Sequence, residues 1–145
     1  MGDREIVAAL GGKAVFGRGA RGRLRLADGV ARGLPLAALE HVKKELRLAD
    51  AEVASTLGVS PKTVSRRRRA PRRALGLVAS DRLYRVARLF AFATEVLEDA
   101  DRARAWLRTR QPGLGNRTPF QLMHTEAGAR EVEDLLGRIE HGVFS

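Results

Sequence analysis

Six side chains between Ser60 and Arg69 can all donate hydrogen bonds to phosphate oxygens or base edges, and none of the six is acidic. They are Ser60, Lys62, Thr63, Ser65, Arg66 and Arg69. Four consecutive arginines, Arg66 to Arg69, close the stretch, and Arg72 and Arg73 follow. The chemistry open to such a set is neutralisation of a phosphate backbone with release of its counterions, together with donation to bases. The surrounding segment from Leu48 to Arg69, LADAEVASTLGVSPKTVSRRRR, has the spacing to present that face. A small residue at Ala54 lets a second helix cross closely. Gly58 follows where the backbone must turn left-handed, which glycine does cheaply, and Val64 anchors the second helix. Val53, Leu57 and Val59 complete the apolar contacts. Asp50 suits the start of the first helix as a charge or cap. Ser60-Pro61 suits the start of the second, a good cap followed by proline where no N–H is needed. This is the pattern of a helix-turn-helix, whose second helix enters the major groove. The competing reading is a solvated basic helix of a generic bundle.

Charge distribution favours the DNA reading. Residues 1–79 hold 17 basic against 7 acidic side chains, whereas residues 80–145 hold 10 of each. The whole net charge of +10 therefore sits in the half containing the arginine run. A basic stripe could also serve an anionic membrane surface, but residues 66–73 lack the bulky apolar face that this needs.

Composition narrows the class further. A chain of 145 residues with 44% hydrophobic side chains suffices for one ordinary domain or two small helical ones. With only 5% aromatics its core must be largely Leu, Val and Ala. The absence of cysteine excludes disulfides and thiolate metal sites and suits a reducing cytoplasm. MGDREIVAALGG carries acidic residues and no long apolar run, so no signal peptide is expected. The most apolar window, Leu89 to Ala93, is too short to cross a bilayer. His41, His124 and His141 are scattered, so no metal or other cofactor is expected. Neither a G-x-S-x-G elbow nor a phosphate-cradling Gly-Lys loop occurs, and catalysis is not expected.

The elements that position these residues read as helices. Ile6, Val7 and Leu10 predict a short helix ended by Gly11-Gly12. Residues 11–29 read as glycine-punctuated loop with a strand-like piece at Arg23-Leu24-Arg25-Leu26, and a basic arm or a plain terminus fits equally. Leu36, Leu39, Val42 and Leu46 predict a helix supporting the helix-turn-helix. Pro71 should close the recognition helix, and 72–79 form a linker or short helix. Ser80-Asp81 reads as the cap of a longer helix carrying Leu83, Val86, Phe90, Ala93 and Leu97. Asp101 starts another, with Ala105, Trp106 and Leu107, and Trp106 reads as core. Residues 111–116 read as loop, and Thr118-Pro119 opens a further helix. Gly128 allows close packing or a break, and Val132, Leu135, Leu136 and Ile139 mark a last amphipathic helix. The expected fold is all-α, with room for a short strand near the N-terminus or the tail. Its expected divisions are a basic segment 1–29, a DNA-binding domain 30–79 and a neutral helical domain 80–145.

The order of residues beyond Ser80 resembles a known family. Trp106-Leu107, the loop Leu114-Gly115 with Thr118-Pro119, Thr125 with Gly128, and the ending Arg138-Ile139-Glu140-His141-Gly142-Val143 are similar to the Xre/MbcA/ParS group of bacterial antitoxins. GLPLAALEHVKKEL and the helix-turn-helix resemble that group's Xre-like N-terminal domain, so the resemblance spans about residues 30–144. Asn116 departs from the glycine common there. The resemblance implies a cytoplasmic antitoxin of a type II toxin–antitoxin system. Its partners would be a RES-type toxin that degrades NAD and the double-stranded operator DNA of its own operon, which it represses. It would act as a homodimer and as a hetero-oligomer with toxin. The C-terminal end would block the toxin's active site, with Thr118, Arg138, His141, Gly142, Val143, Phe144 and Ser145 as toxin-binding residues. Val143 and Phe144 are costly to leave in water and suit a concave pocket, although Phe144 could instead fold back on its own helix. The alternative is a free-standing helix-turn-helix regulator whose C-terminal domain only dimerises or senses a ligand.

Overall fold

The computed structural model describes residues 2–17, 24–69 and 74–142, the side chain of Arg67 excepted. Among these residues the chain is helical throughout: α1 Asp3–Ala9, α2 Lys13–Phe16, α3 Arg25–Arg32, α4 Leu36–Leu46, α5 Asp50–Leu57, α6 Pro61–Arg68, α7 Leu77–Leu97, α8 Ala100–Leu107, α9 Pro119–Leu122 and α10 Glu126–Glu140, with a 3-10 turn at Pro112–Leu114. No strand forms among the described residues, and the only extended pairings there are isolated bridges, Pro35 with Ala74 and Gln111 with Arg117. The chain packs as two compact units, Gly2–Ala87 and a second beginning at Arg88, and the division falls inside α7.

In the first unit, α1 and α2 pack on α4, which buries Leu36, Leu39, Val42 and Leu46 as their helical spacing predicts. Two expectations are corrected here. Part of the stretch read as loop and strand is helical, in α2 and α3. Leu26, Val30 and Leu34 recur every four residues, and this helical stripe overrides the four-residue alternation at 23–26; Leu26 and Leu34 are buried. Residues 18–23 and the tail 143–145, where an arm or strand was also considered, lie outside the described residues. Nor does Ser80 cap a helix. α7 already starts at Leu77, and Ser80 is fully buried within it. Its hydroxyl accepts the Leu34 N–H at 2.8 Å, while the Leu75 N–H donates to the Leu34 carbonyl at 2.8 Å. These bonds, 41 to 46 residues apart in sequence, satisfy polar groups that burial would otherwise strand.

The second unit buries Leu89, Ala93, Leu107, Leu114, Met123, Val132 and Leu136. Its helix starts are capped in turn. Asp99 accepts from the Arg102 N–H, Thr118 and Gln121 form a reciprocal box, and Thr125 accepts from the Gly128 N–H. The helix expected to start at Asp101 therefore starts one residue earlier, with Asp99 as its cap. Arg88 is held at 2.8 Å from Glu133. Gly128 resolves towards close packing: a Cβ there would lie 1.9 Å from the Leu122 carbonyl oxygen, a backbone atom that cannot swing aside. Gly137, on the same helix, would meet nothing within 4 Å. Gly128→Ala should therefore lower stability by about 1–3 kcal/mol through overpacking. Gly137→Ala should raise it by ~0.5–1 kcal/mol through helix propensity. Thermal unfolding of the two variants checks the pair, and equal shifts of one sign would contradict this packing.

Candidate nucleic-acid interface and partner-binding unit

The recognition geometry is built from α5, a glycine turn and α6. Val53, Ala54, Leu57 and Val64 are all buried, so both helices are anchored by the residues whose spacing first marked them. Asp50 is the first residue of α5 rather than its cap; the cap position is Ala49, whose N–H is satisfied by Glu52 at 2.9 Å. Gly58 is left-handed, with φ +68°, and the Val59 N–H closes the helix end on the Ala54 carbonyl at 2.9 Å. Arg82 donates from Nη1 to the Leu57 carbonyl at 2.9 Å, and a Cβ on Gly58 would fall 1.5 Å from that guanidinium nitrogen. Ser60 caps α6, its Oγ accepting the Thr63 N–H at 3.1 Å and lying 2.9 Å from Thr63 Oγ1.

Outside this frame, Ser60, Lys62, Thr63, Ser65, Arg66 and Arg69 line one open concavity of about 620 Å³. The structure thus brings together six of the eight residues expected to contact DNA, all exposed except the half-buried Thr63. Arg72 and Arg73 lie outside the described residues. No acidic side chain lines this concavity, so a polyanion would meet donors alone.

One of the four consecutive arginines serves another purpose. Arg68 turns towards α4 and α5, its Nε donating to Glu40 at 2.9 Å and its Nη2 lying 3.4 Å from Asp50, which also pairs with Lys43. This ion cluster links α6 to α4 and to the start of α5. Sequence reading missed the cluster, although Arg68 stands four residues after the buried Val64 and periodicity could have placed it on the inward side. Burial pulls the Arg68 pKa down, but hydrogen bonding and charge from Glu40, then Asp50, outweigh it and leave it raised. The hydrogen bond and charge of Lys43, and then Arg68, hold Asp50 below its ordinary value.

In the second unit, the loop between α8 and α9 is closed by the Gln111 N–H on the Arg117 carbonyl and the Asn116 N–H on the Gln111 carbonyl, both at 3.0 Å. Gly115 and Asn116 are both left-handed, φ +64° and +60°. Asparagine tolerates that conformation better than most residues, so the departure from the family's glycine keeps the turn. Of the residues expected to meet a toxin, Thr118 is half-buried and its hydroxyl is engaged in the α9 cap. Arg138 is half-buried beside Gly113, where its Nη2 would lie 3.7 Å from an added Cβ. His141 and Gly142 are exposed at the end of α10, and Val143, Phe144 and Ser145 lie outside the described residues. Trp106 is half-buried rather than full core. Arg108 stands 5.7 Å over the Phe120 ring, which meets His124 edge-on. Among the described residues no three His, Asp or Glu side chains stand close enough to hold a metal ion, and no helix is long and apolar enough to cross a membrane.

Comparison with known proteins agrees with this two-part layout. Residues 25–88 match the antitoxin Xre-like helix-turn-helix domain, and residues 92–142 match the antitoxin Xre/MbcA/ParS C-terminal toxin-binding domain. The chain is 34% identical over 121 residues to antitoxin Xre of Yersinia enterocolitica, covering 83% of this chain and 81% of that one. It is 30% identical over 117 residues to antitoxin Xre of Photorhabdus laumondii, covering 78% and 76%. In fold it is similar to a chain of the crystal structure of the Mycobacterium tuberculosis MbcT–MbcA toxin–antitoxin complex. There the TM-score is 0.54 at 24% identity, over 76% of this chain and 96% of that one.

The ion cluster generates a pH dependence. The Asp50 pKa is lowered by folding, so its contribution is complete above its ordinary value of 3.8 and is lost as pH falls through the lower folded value. The melting-temperature gap between the wild type and Asp50→Asn should be largest near neutrality and close in acid. A gap that widened in acid would mean that Asp50 is not the carboxylate holding Arg68 and Lys43.

Proposed function

The chain belongs to the Xre antitoxin family, and on that premise we propose that it neutralises a RES-type, NAD-degrading toxin and represses its own operon by binding operator DNA. Its second unit holds the toxin, with the tail from His141 to Ser145 blocking the active site. Its first unit reads the operator through α6 as a homodimer, and with toxin it forms a hetero-oligomer in the cytoplasm. The protein acts by binding rather than by catalysis. The observation that carries the DNA part is the single concavity gathering six hydrogen-bond donors on and beside α6, with no carboxylate in its lining. The toxin part rests on the match of residues 92–142 to the family's toxin-binding domain and on the exposure of His141 and Gly142, which lead into an apolar Val143-Phe144 pair. Neither operator binding by α6 nor a blocked cleft needs a group that titrates near neutrality. The two activities should therefore separate by mutation rather than by pH.

Arg66→Ala should weaken specific operator binding by about 1–3 kcal/mol, the range for a base-edge contact, and relax discrimination at one base position. Arg72→Ala should weaken binding to all sequences alike and lower the salt slope by about one unit, as for one phosphate contact. Fluorescence anisotropy on operator and scrambled duplexes across salt concentrations reads both. Equal affinity for the wild type and an Arg66→Ala, Arg69→Ala double variant would sink the DNA assignment.

Removal of residues 141–145 should leave the thermal unfolding of the chain nearly unchanged, because an undocked terminus carries little stability. The shortened chain should keep operator binding and lose inhibition of toxin NAD consumption at saturating antitoxin. Phe144→Asp should act in the same direction, since it would put an unpaired charge into an apolar pocket. Full inhibition by the shortened chain would move the blocking surface from the tail to the α8–α10 body.

A further inference from the structure

One hollow in the first unit carries chemistry that the basic face of α6 does not use. It measures about 460 Å³ and is lined by α3 and α7, with Asp3 at the start of α1 on its rim. Leu77, Asp81 and Tyr84 recur at i, i+4 and i+7 along α7, so they share one face, and Leu26 and Val30 stand one turn apart on α3. Ala27 and Ala31 take the neighbouring positions of α3, where a single methyl group covers little of the space beside the two helices. The walls are therefore apolar, and the polar groups set into them are the carboxylates of Asp3 and Asp81 and the Tyr84 phenol. No basic side chain lines the hollow, although residues 1–79 hold 17 basic against 7 acidic side chains. Asp81 meets Arg85 Nη2 at 3.8 Å, long for an ion pair, and its carboxylate stays exposed.

We propose that this hollow binds a small organic cation, an amine whose ammonium group meets Asp3 and Asp81 and whose hydrocarbon body lies on Leu26, Val30 and Leu77. Pockets that hold small ligands span about 300–1,000 Å³ and combine mostly apolar walls with a few placed polar groups, as this one does. The carboxylates select the sign of the ligand: they favour an ammonium group and repel a carboxylate or a phosphate. An aromatic ring in the same lining, that of Tyr84, suits a cation as well. The hydrocarbon body would take Leu77, a large apolar side chain that stands exposed, out of water. Residues 18–23, RGARGR, have the matching charge but no bulky apolar side chain to cover these walls. The site depends on neither the DNA reading nor the toxin reading proposed above.

The test uses the full chain without DNA or toxin. Tyr84 is its single tyrosine, so labelling with meta-fluorotyrosine puts one fluorine resonance at the hollow. Hexylammonium, hexanol and hexanoate carry the same body with different charge and are titrated at low salt, where charge is least screened. Hexylammonium should shift the resonance saturably. It should bind at least about tenfold more tightly than hexanoate and about threefold more tightly than hexanol. Ammonium chloride, which lacks the body, should give no saturable shift. In an Asp3→Asn, Asp81→Asn double variant the hexylammonium midpoint should rise to that of hexanol, and hexanol should bind as before. Ala31→Trp should fill the hollow and abolish both shifts. All three positions are exposed, so these variants should keep the wild-type circular dichroism. No saturable shift with hexylammonium, equal midpoints for hexylammonium and hexanoate, or an unchanged hexylammonium midpoint in the double variant would each overturn the proposal. So would a resonance that moves with protein concentration and ignores hexylammonium, which would assign the hollow to a second copy of the chain.

Discussion

The bend at Gly58 is the constraint on which presentation of α6 depends. A left-handed residue must stand there, and the Arg82 guanidinium occupies the space where any side chain would begin while it donates a hydrogen bond to the Leu57 carbonyl. One helix end is thereby closed by its own backbone and by a cation from α7, a favourable group at a helix C-terminus. With the bend fixed, Val64 has only one direction in which to be buried. Arg68, one turn later, meets Glu40 and Asp50, and Arg66 and Arg69 are left facing outward. Of the four consecutive arginines, Arg66 and Arg69 line the concavity and Arg68 is paired with Glu40 and Asp50.

Local signals made much of this legible in sequence. The cap and proline at Ser60-Pro61 and at Thr118-Pro119, the glycine turn, and the Leu36-Leu39-Val42-Leu46 stripe all act within a few residues, so reading along the chain finds them. What escaped was determined at long range. Ser80 carries the identity of a helix cap, yet its hydroxyl is taken by a backbone N–H 46 residues away, and α7 begins before it. α3 was hidden by the glycine-punctuated stretch before it. Leu26 is nevertheless buried, and side chains of Phe16 and Leu34 lie within 4 Å of where a Cβ on Gly29 would stand. The bond from Arg82 to the Leu57 carbonyl leaves no trace in spacing at all.

The candidate sites were legible to different degrees for the same reason. A DNA-facing helix advertises itself by charge, because a long-range field requires many like charges on one side, and six of its expected residues do share one surface. A protein-binding surface works by short-range fit, which composition does not encode; the net charge of residues 80–145 is zero. There, only the order of residues carried the family likeness. Thr118, expected to meet a toxin, also serves as a helix cap, and local folding alone is enough to account for its place in that order.

This difference in range has a physical consequence for how the two halves would work in one chain. Contacts made by the basic unit draw on counterion release and so weaken steeply as salt rises. Contacts made by a neutral unit through apolar burial and capped helices are screened little, because they act over distances shorter than the Debye length of about 8 Å. Placing all of the net charge on residues 1–79 would therefore leave residues 80–145 free to dock a partner without attracting nucleic acid. It would also leave the first free to meet a polyanion without repelling that partner's surface. Mixing the two charge patterns over one surface would couple both affinities to the same ionic conditions. Partition of charge between residues 1–79 and 80–145 is in this sense as much a part of the design as the bend that aims α6.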